Sequence, residues 1–299
     1  MNRTSFSAAL AAGPVVLDGG LSNQLEAAGH PLDDALWSAR LLADEPEALL
    51  AAHRAYAQAG AEVATTASYQ ATFEGFARRG LGPERTVALL RLSVGTARAS
   101  GSRWVAASVG PYGAMLADGS EYRGRYGLSV AELERFHRPR IEVLAAAGAD
   151  VLALETVPDA EEARALVAAV RGCGLPVWLS FSAAHGETRA GQPLAEAFAV
   201  AAESEEVVAV GVNCCDPQEV AEAVALAVRV TGKPGVAYPN SGEVWDAHAR
   251  GWRGGPRFDA SLARDWYAAG ARLIGGCCRV GPGLIAGVRR TLAETVPRG

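Results

Sequence analysis

Ala59-Gly60-Ala61-Glu62-Val63, Ala147-Gly148-Ala149-Asp150-Val151 and Ala269-Gly270-Ala271-Arg272-Leu273 repeat one short pattern at three points along the chain. Each follows an amphipathic segment and leads into an apolar run, so each reads as a helix, the glycine that ends it, and a strand. Joints of this kind are what repeated βα units produce. Working outward from them, eight strands can be read: Val15 to Asp18, Glu62 to Thr66, Trp104 to Ser108, Val151 to Glu155, Val177 to Phe181, Val207 to Asn213, Gly235 to Tyr238 and Leu273 to Gly275. Helical patterns lie between them over Glu45 to Ala59, Glu84 to Ala99, Ser129 to Ala147, Asp159 to Arg171, Gln218 to Val230 and Ser261 to Ala269, with Asp159 and Pro217 as helix-start residues. A chain of 299 residues gives about 37 per unit over eight units, slightly above the ~31 of a minimal barrel. The expectation is an α/β fold, a single (β/α)8 TIM-type barrel domain spanning 1–299. A doubly wound sheet is the rival, but the Asp18-Gly19-Gly20-Leu21-Ser22 turn does not match the G-x-G-x-x-G phosphate fingerprint such a sheet normally carries.

Composition narrows the function classes. A hydrophobic fraction of 49% is enough for a substantial core. The net charge is -5, and 27 of the 28 basic residues are arginine. That balance offers no basic stripe of the kind a phosphate backbone requires, so nucleic acid is not an expected partner. Met1 to Ala12 does not read as a signal peptide, and no apolar stretch approaches the ~20 residues needed to span a bilayer. A cytoplasmic protein without membrane partners is the expectation.

The cysteines are more informative. They stand at 173, 214, 215, 277 and 278, an odd number with two vicinal pairs, which makes a poor disulfide framework and favours reduced thiols. In a parallel barrel, functional groups sit where strands end. One pair follows a strand as Val212-Asn213-Cys214-Cys215, the other as Gly275-Gly276-Cys277-Cys278, and the separation of 63 positions from Cys214 to Cys277 is close to two βα units. Both pairs should then share one rim. Three converging thiolates suit zinc, which takes sulfur at ~2.3 Å and, in catalytic sites, leaves a tetrahedral position for substrate. The candidate ligands are Cys214, Cys277 and Cys278, with Gly275-Gly276 letting neighbouring residues leave the extended form. Spacing leaves open whether Cys214 or Cys215 coordinates, and inert buried cysteines are the bland alternative.

A thiol bound to zinc loses its proton, so the metal would make a sulfur nucleophile near neutral pH and favour attack on an electrophilic carbon. A water-activating hydrolase would normally recruit histidine or carboxylate ligands. His30, His53, His137, His185 and His248 form no H-x-H or H-E-x-x-H pattern and are given no role. Schiff-base chemistry is disfavoured because the single lysine, Lys233, precedes a strand and belongs to the opposite face. Other strand ends offer Asp18 with Gly19 and Gly20, Glu155, and Thr65, Ser68, Tyr69 and Gln70. A rim carboxylate can hold an ammonium group and glycine N–H groups can hold a carboxylate, and an amino-acid substrate needs both. The plain alternative for Asp18 and Glu155 is a helix cap or loop carboxylate.

Taken together, Leu17-Asp18-Gly19-Gly20, Gly211-Val212-Asn213-Cys214 and Gly275-Gly276-Cys277-Cys278 resemble the homocysteine S-methyltransferase family, which includes betaine-homocysteine methyltransferase and the homocysteine half of cobalamin-dependent methionine synthase. The resemblance covers nearly the whole chain. It implies that Cys214, Cys277 and Cys278 are the zinc ligands and Cys215 a non-ligand neighbour, that Asp18 and Glu155 hold the homocysteine amino group, and that Asn213 borders the site. Gly19, Gly20 and Thr65 complete the expected substrate rim. Ser68-Tyr69-Gln70-Ala71-Thr72 resembles the branch using S-methylmethionine or S-adenosylmethionine, and chain length agrees, with no cobalamin or folate domain following. The implied reaction is methyl transfer from a sulfonium donor to homocysteine, giving methionine, with small-molecule partners only. Tyr69, Tyr112, Tyr238 and Trp245 are available to line a pocket for the sulfonium. Three alternatives are a non-catalytic zinc or thiol sensor, a redox dithiol protein, and methylation of a related thiol or selenol.

Overall fold

Residues 4–30, 38–246 and 251–296 are described by the computed structural model. Within them the apolar runs form β1 (Val15–Val16), β2 (Val63–Thr65), β3 (Trp104–Val109), β4 (Val151–Val157), β5 (Val177–Phe181), β6 (Val207–Asn213), β7 (Gly235–Tyr238) and β8 (Ala271–Ile274). These make one eight-stranded parallel sheet in the order β1-β8-β7-β6-β5-β4-β3-β2. The Glu62 N–H donates to the Val16 carbonyl at 2.8 Å and draws the two ends together. The fold is a TIM-type barrel. Its outer helices follow the strands in turn: α1 (Pro46–Gln58), α2 (Pro83–Ala99), α3 (Val130–Ala146), α4 (Ala160–Val170), α5 (Leu194–Ala199), α6 (Val220–Thr231), α7 (Leu262–Ala268) and α8 (Pro282–Thr295).

The glycine joints behave as their chemistry requires. Gly60, Gly148 and Gly270 have φ of 98°, 88° and 106°, a left-handed conformation that glycine adopts without the Cβ clash other residues suffer. Asp159 caps α4, its Oδ1 accepting the Glu162 N–H at 2.7 Å. Pro217 does not start a helix: Pro217 to Glu219 form a turn, with the Gln218 N–H on Asp216 Oδ1 at 3.0 Å, and α6 begins at Val220.

Alternate residues of each strand point inward, and they change character from floor to mouth. Trp104, Ala106, Val151, Ala153 and Trp178 belong to the apolar interior, while Ser108, Glu155, Ser180 and Tyr238 hydrogen-bond to one another nearer the strand ends. The floor is closed by the helix Phe6–Ala12, whose Phe6 ring lies 5.7 Å from Trp104 and 6.3 Å from Trp178. Burying side chains of this size is worth roughly 2–3 kcal/mol each. Lys233 Nζ donates to the Ser204 and Val207 carbonyls at the start of β6, away from the mouth as expected. Among the described residues, no helix is long and apolar enough to cross a membrane.

Candidate functional site

Both cysteine pairs reach the same rim. The Cys214 and Cys278 sulfurs are 3.7 Å apart, the Cys277 and Cys278 sulfurs 4.0 Å, and all three lie within 4.8 Å of one another. Sulfurs at ~2.3 Å around a tetrahedral ion sit about 3.8 Å apart. The trio fits a metal ion. The three thiols are tightly linked: hydrogen bonds from Cys277 and Cys278 hold Cys214 well below the ordinary thiol pKa, while the contact with Cys214 pushes Cys277 and Cys278 up. Cys215 points instead into the apolar core, and burial raises its pKa. A thiol in such surroundings is inert.

Backbone shape brings the sulfurs together. Cys214 turns out of β6 with φ of 50°, held by its N–H on the Tyr238 carbonyl at 3.2 Å. After β8, Gly275 and Gly276 replace side chains for which there is no room, since a Cβ would come within 2.6 Å of Leu17 Cβ at Gly275 and 2.2 Å of Val280 Cγ1 at Gly276. The loop is then tied by the Cys277 N–H on the Pro239 carbonyl at 2.7 Å and the Cys278 N–H on Asn240 Oδ1 at 3.2 Å. Gly19 and Gly20 serve the same loop, for their Cβ atoms would strike the Val280 and Cys277 carbonyls at 2.1 and 2.7 Å. The Gly20 N–H is already donated to the Val280 carbonyl at 3.1 Å, so that glycine packs the metal loop and its N–H is spent there.

Two buried carboxylates share the mouth with this corner: Asp18 follows the strand next to β8, its carbonyl accepting the Gly276 N–H at 3.1 Å, and Glu155 lies on β4. Asp18 is clasped by Thr65, whose N–H and hydroxyl each donate to one carboxylate oxygen at 2.7 Å. Glu155 accepts from the Ser108 hydroxyl and, at 3.0 Å, from Tyr238, which also receives the Trp178 indole N–H at 3.1 Å. Burial pushes Asp18 up to about 6 and Glu155 up to about 7. A cation between them would restore both to the charged form. Asn213 is fully buried, with both ends of its amide taken by Thr156 at 2.7 Å.

A family model described as homocysteine S-methyltransferase matches residues 15–292. The chain belongs to the homocysteine S-methyltransferase family. Among relatives in this family, a homocysteine S-methyltransferase of Bacillus subtilis (strain 168) is 44% identical, covering 90% of this chain and 91% of its own. A homocysteine S-methyltransferase of Escherichia coli (strain K12) is also 44% identical, over 92% and 94%. The crystal structure of the metallated form of the Escherichia coli homocysteine methyltransferase MmuM superposes with a TM-score of 0.82 at 42% identity, covering 93% of this chain and 96% of that one.

Within this family frame, some site residues carry no sequence signal. The hydroxyl of Tyr122 lies 3.2 Å from Cys214 Sγ, and Arg189 sits over the Tyr122 ring at 5.9 Å. Both come from loops after β3 and β5 whose course depends on left-handed residues such as Gly119 and Gly186. In the segment 68–72, Ser68 Oγ is spent on the Ser108 carbonyl at 2.7 Å, Gln70 on the Ala114 carbonyl at 2.8 Å, and Thr72 caps the helix Phe73–Ala77. Tyr69 is the half-buried member, its phenol near Glu121, Cys214, Thr156 and Glu155. Tyr112 packs on Tyr126 and Phe136 at 5.2 and 4.8 Å and is a scaffold residue. Trp245 pairs with Trp252 in a two-stranded ribbon. None of the described histidines joins the sulfur trio, and His248 lies outside the described residues.

Proposed function

We propose that this chain is a zinc-dependent homocysteine S-methyltransferase, moving a methyl group from a sulfonium donor, S-methylmethionine or S-adenosylmethionine, to homocysteine and giving methionine. The observation that carries this reading is the convergence of Cys214, Cys277 and Cys278 at zinc-like sulfur spacing beside two buried carboxylates. Catalysis would reside in one barrel domain. The five free cysteines suit a reducing, cytoplasmic setting.

When bound at these sulfurs, zinc would supply the Lewis acidity that keeps the homocysteine sulfur deprotonated near neutral pH. The chain's own residues do the remaining work. Asp18 and Glu155 hold the homocysteine ammonium, and Thr65, Ser108 and Tyr238 fix their oxygens before substrate arrives. Asp18, Glu155 and Cys214 are buried, and low-dielectric surroundings of that kind favour a reaction in which charge disappears. The attacking sulfur lone pair forms the new S–CH3 bond as the old C–S bond breaks, and that electron pair neutralises the donor sulfonium. The thiol proton has left for solvent by then.

The test is methionine formation from homocysteine with each sulfonium donor, before chelation, after it, and after zinc is restored. Turnover lost on chelation and recovered with zinc is the expected outcome. Stoichiometric zinc and thiol binding without turnover on either donor would instead mark a sensor.

A further inference from the structure

Glu121 is a carboxylate that is only 5% exposed, and its Oε2 has no hydrogen-bond partner. Leaving such a group unmet costs on the order of several kcal/mol. Burial pushes its carboxyl up to about 7; a hydrogen bond from its own backbone works against that shift, and the nearby Cys214 and Asp118 add to it. The position is specific. Glu121 sits in the single turn Ser120–Tyr122, next to the tyrosine whose hydroxyl touches Cys214 Sγ, and its charge is felt by the Tyr69 phenol. The carboxylate therefore borders the space between Tyr69, Tyr122 and Cys214.

The loop is built to hold it there. At Gly113 a Cβ would come within 2.5 Å of the Glu121 nitrogen, so only glycine lets the turn settle on the helix Tyr112–Leu116. Asp118 Oδ1 accepts the Ser120 N–H at 3.0 Å, Gln70 grips the Ala114 carbonyl at 2.8 Å, and Asp159 Oδ2 accepts the Arg125 N–H at 2.9 Å. A rigidly placed carboxylate with one buried oxygen left unmet calls for a cation. Asp18 and Glu155 already serve the ammonium of the acceptor, and the second cation in the reaction is the methyl donor.

We propose that Glu121 is a donor-recognition residue whose carboxylate faces the sulfonium centre of the methyl donor, an inference that rests on the methyl-transfer reading above. A sulfonium has no N–H or O–H to offer, which suits an oxygen that forms no hydrogen bond. Its positive charge vanishes as methyl leaves, so the attraction is stronger in the bound ground state than in the transition state. Glu121 therefore tightens donor binding without raising the rate of the chemical step.

That asymmetry is testable with Glu121→Gln in the zinc-loaded full chain. The charge-assisted contact removed is worth about tenfold or more in affinity, so calorimetric binding of S-methylmethionine and of S-adenosylmethionine should weaken by that factor, and donor KM should rise with it. The value of kcat should stay within about twofold or increase. Homocysteine KM, zinc content and inhibition by neutral methionine should be unchanged, Tm should not fall, and Glu121→Asp should recover part of the donor affinity. Unchanged sulfonium binding, a fall in kcat without a rise in donor KM, or equal weakening of methionine and sulfonium would overturn the assignment. Because the binding measurement needs no turnover, an inactive wild type would reject the methyl-transfer reading on its own, while sulfonium affinity decides the role of Glu121.

Discussion

Asn213 and Thr156 hold each other reciprocally: the Asn213 amide oxygen accepts the Thr156 N–H at 2.7 Å, and its nitrogen donates to Thr156 Oγ1 at 2.7 Å. Thr156 has φ of 60°, an uncommon conformation for a β-branched residue. The clamp matters because each partner is the chain neighbour of a site residue. Asn213 precedes Cys214, Thr156 follows Glu155, and the pair thus fixes a sulfur relative to a carboxylate. Asn213→Ala should destabilise the metal-free protein by about 2–4 kcal/mol, since two buried groups lose partners and the strained residue loses its restraint. Urea unfolding measures this, and a change below about 0.5 kcal/mol would show that the clamp is incidental.

The vicinal cysteines should behave oppositely. Cys214→Ala removes one of the three converging sulfurs and should abolish stoichiometric metal and methyl transfer together. Cys215→Ala, in the apolar core, should keep both and lose about 1–2 kcal/mol of stability. Metal-to-protein ratios by elemental analysis separate the two, and metal loss in the Cys215 variant would reassign the ligand.

Much of the fold was legible because a buried parallel strand is a continuous apolar run: Val177 to Phe181, Val207 to Asn213 and Gly235 to Tyr238 form strands with the bounds their composition suggests. Strand ends at the site were less so. β1 stops at Val16 because Asp18 turns to meet Thr65, β4 runs on to Val157 through a register shift after Leu154, and β8 ends at Ile274 where the glycines begin. Periodicity has no means of registering such departures, which are set by tertiary contacts. Strand-end spacing put both cysteine pairs on one rim, but the choice of Cys214 over Cys215 came from the family resemblance, because spacing does not register the turn of the backbone at Cys214 that brings it to Cys277 and Cys278. Tyr122 and Glu121 were not, because their loop is shaped by left-handed backbone at Ala117, Gly119 and Gly124. The floor helix Phe6–Ala12 was likewise unforeseen, its amphipathic face having meaning only against Trp104 and Trp178.

Acidity should weaken acceptor binding. Asp18 and Glu155, raised to about 6 and about 7, must be ionised to hold an ammonium, so protonation in the free enzyme competes with homocysteine. As pH falls from about 8 to 6, kcat/KM for homocysteine should drop with apparent pKa values near those of the free carboxylates. Glu155→Gln should raise homocysteine KM and flatten the upper part of that fall. A profile identical in the variant would remove Glu155 from ammonium binding.

Behind the mouth, Arg140 donates to His137 Nδ1 at 2.7 Å, which leaves Nε2 carrying the proton it gives to Glu162 at 2.9 Å. The ring is neutral, held well below its usual pKa by burial. Glu162 also accepts the Tyr112 N–H at 2.6 Å, anchoring the loop that carries Tyr122. Glu162→Ala should cost about 3 kcal/mol, whereas Glu162→Gln, whose amide oxygen can still accept both bonds, should cost under about 1 kcal/mol. Equal losses in chemical denaturation would show that acceptor geometry is not what matters.

X-ray absorption at the zinc edge, recorded before and after homocysteine is added, counts the sulfurs directly. Three sulfur neighbours at ~2.3 Å should become four when the acceptor binds. Fewer than three protein sulfurs, or a shell that homocysteine leaves unaltered, would contradict the account.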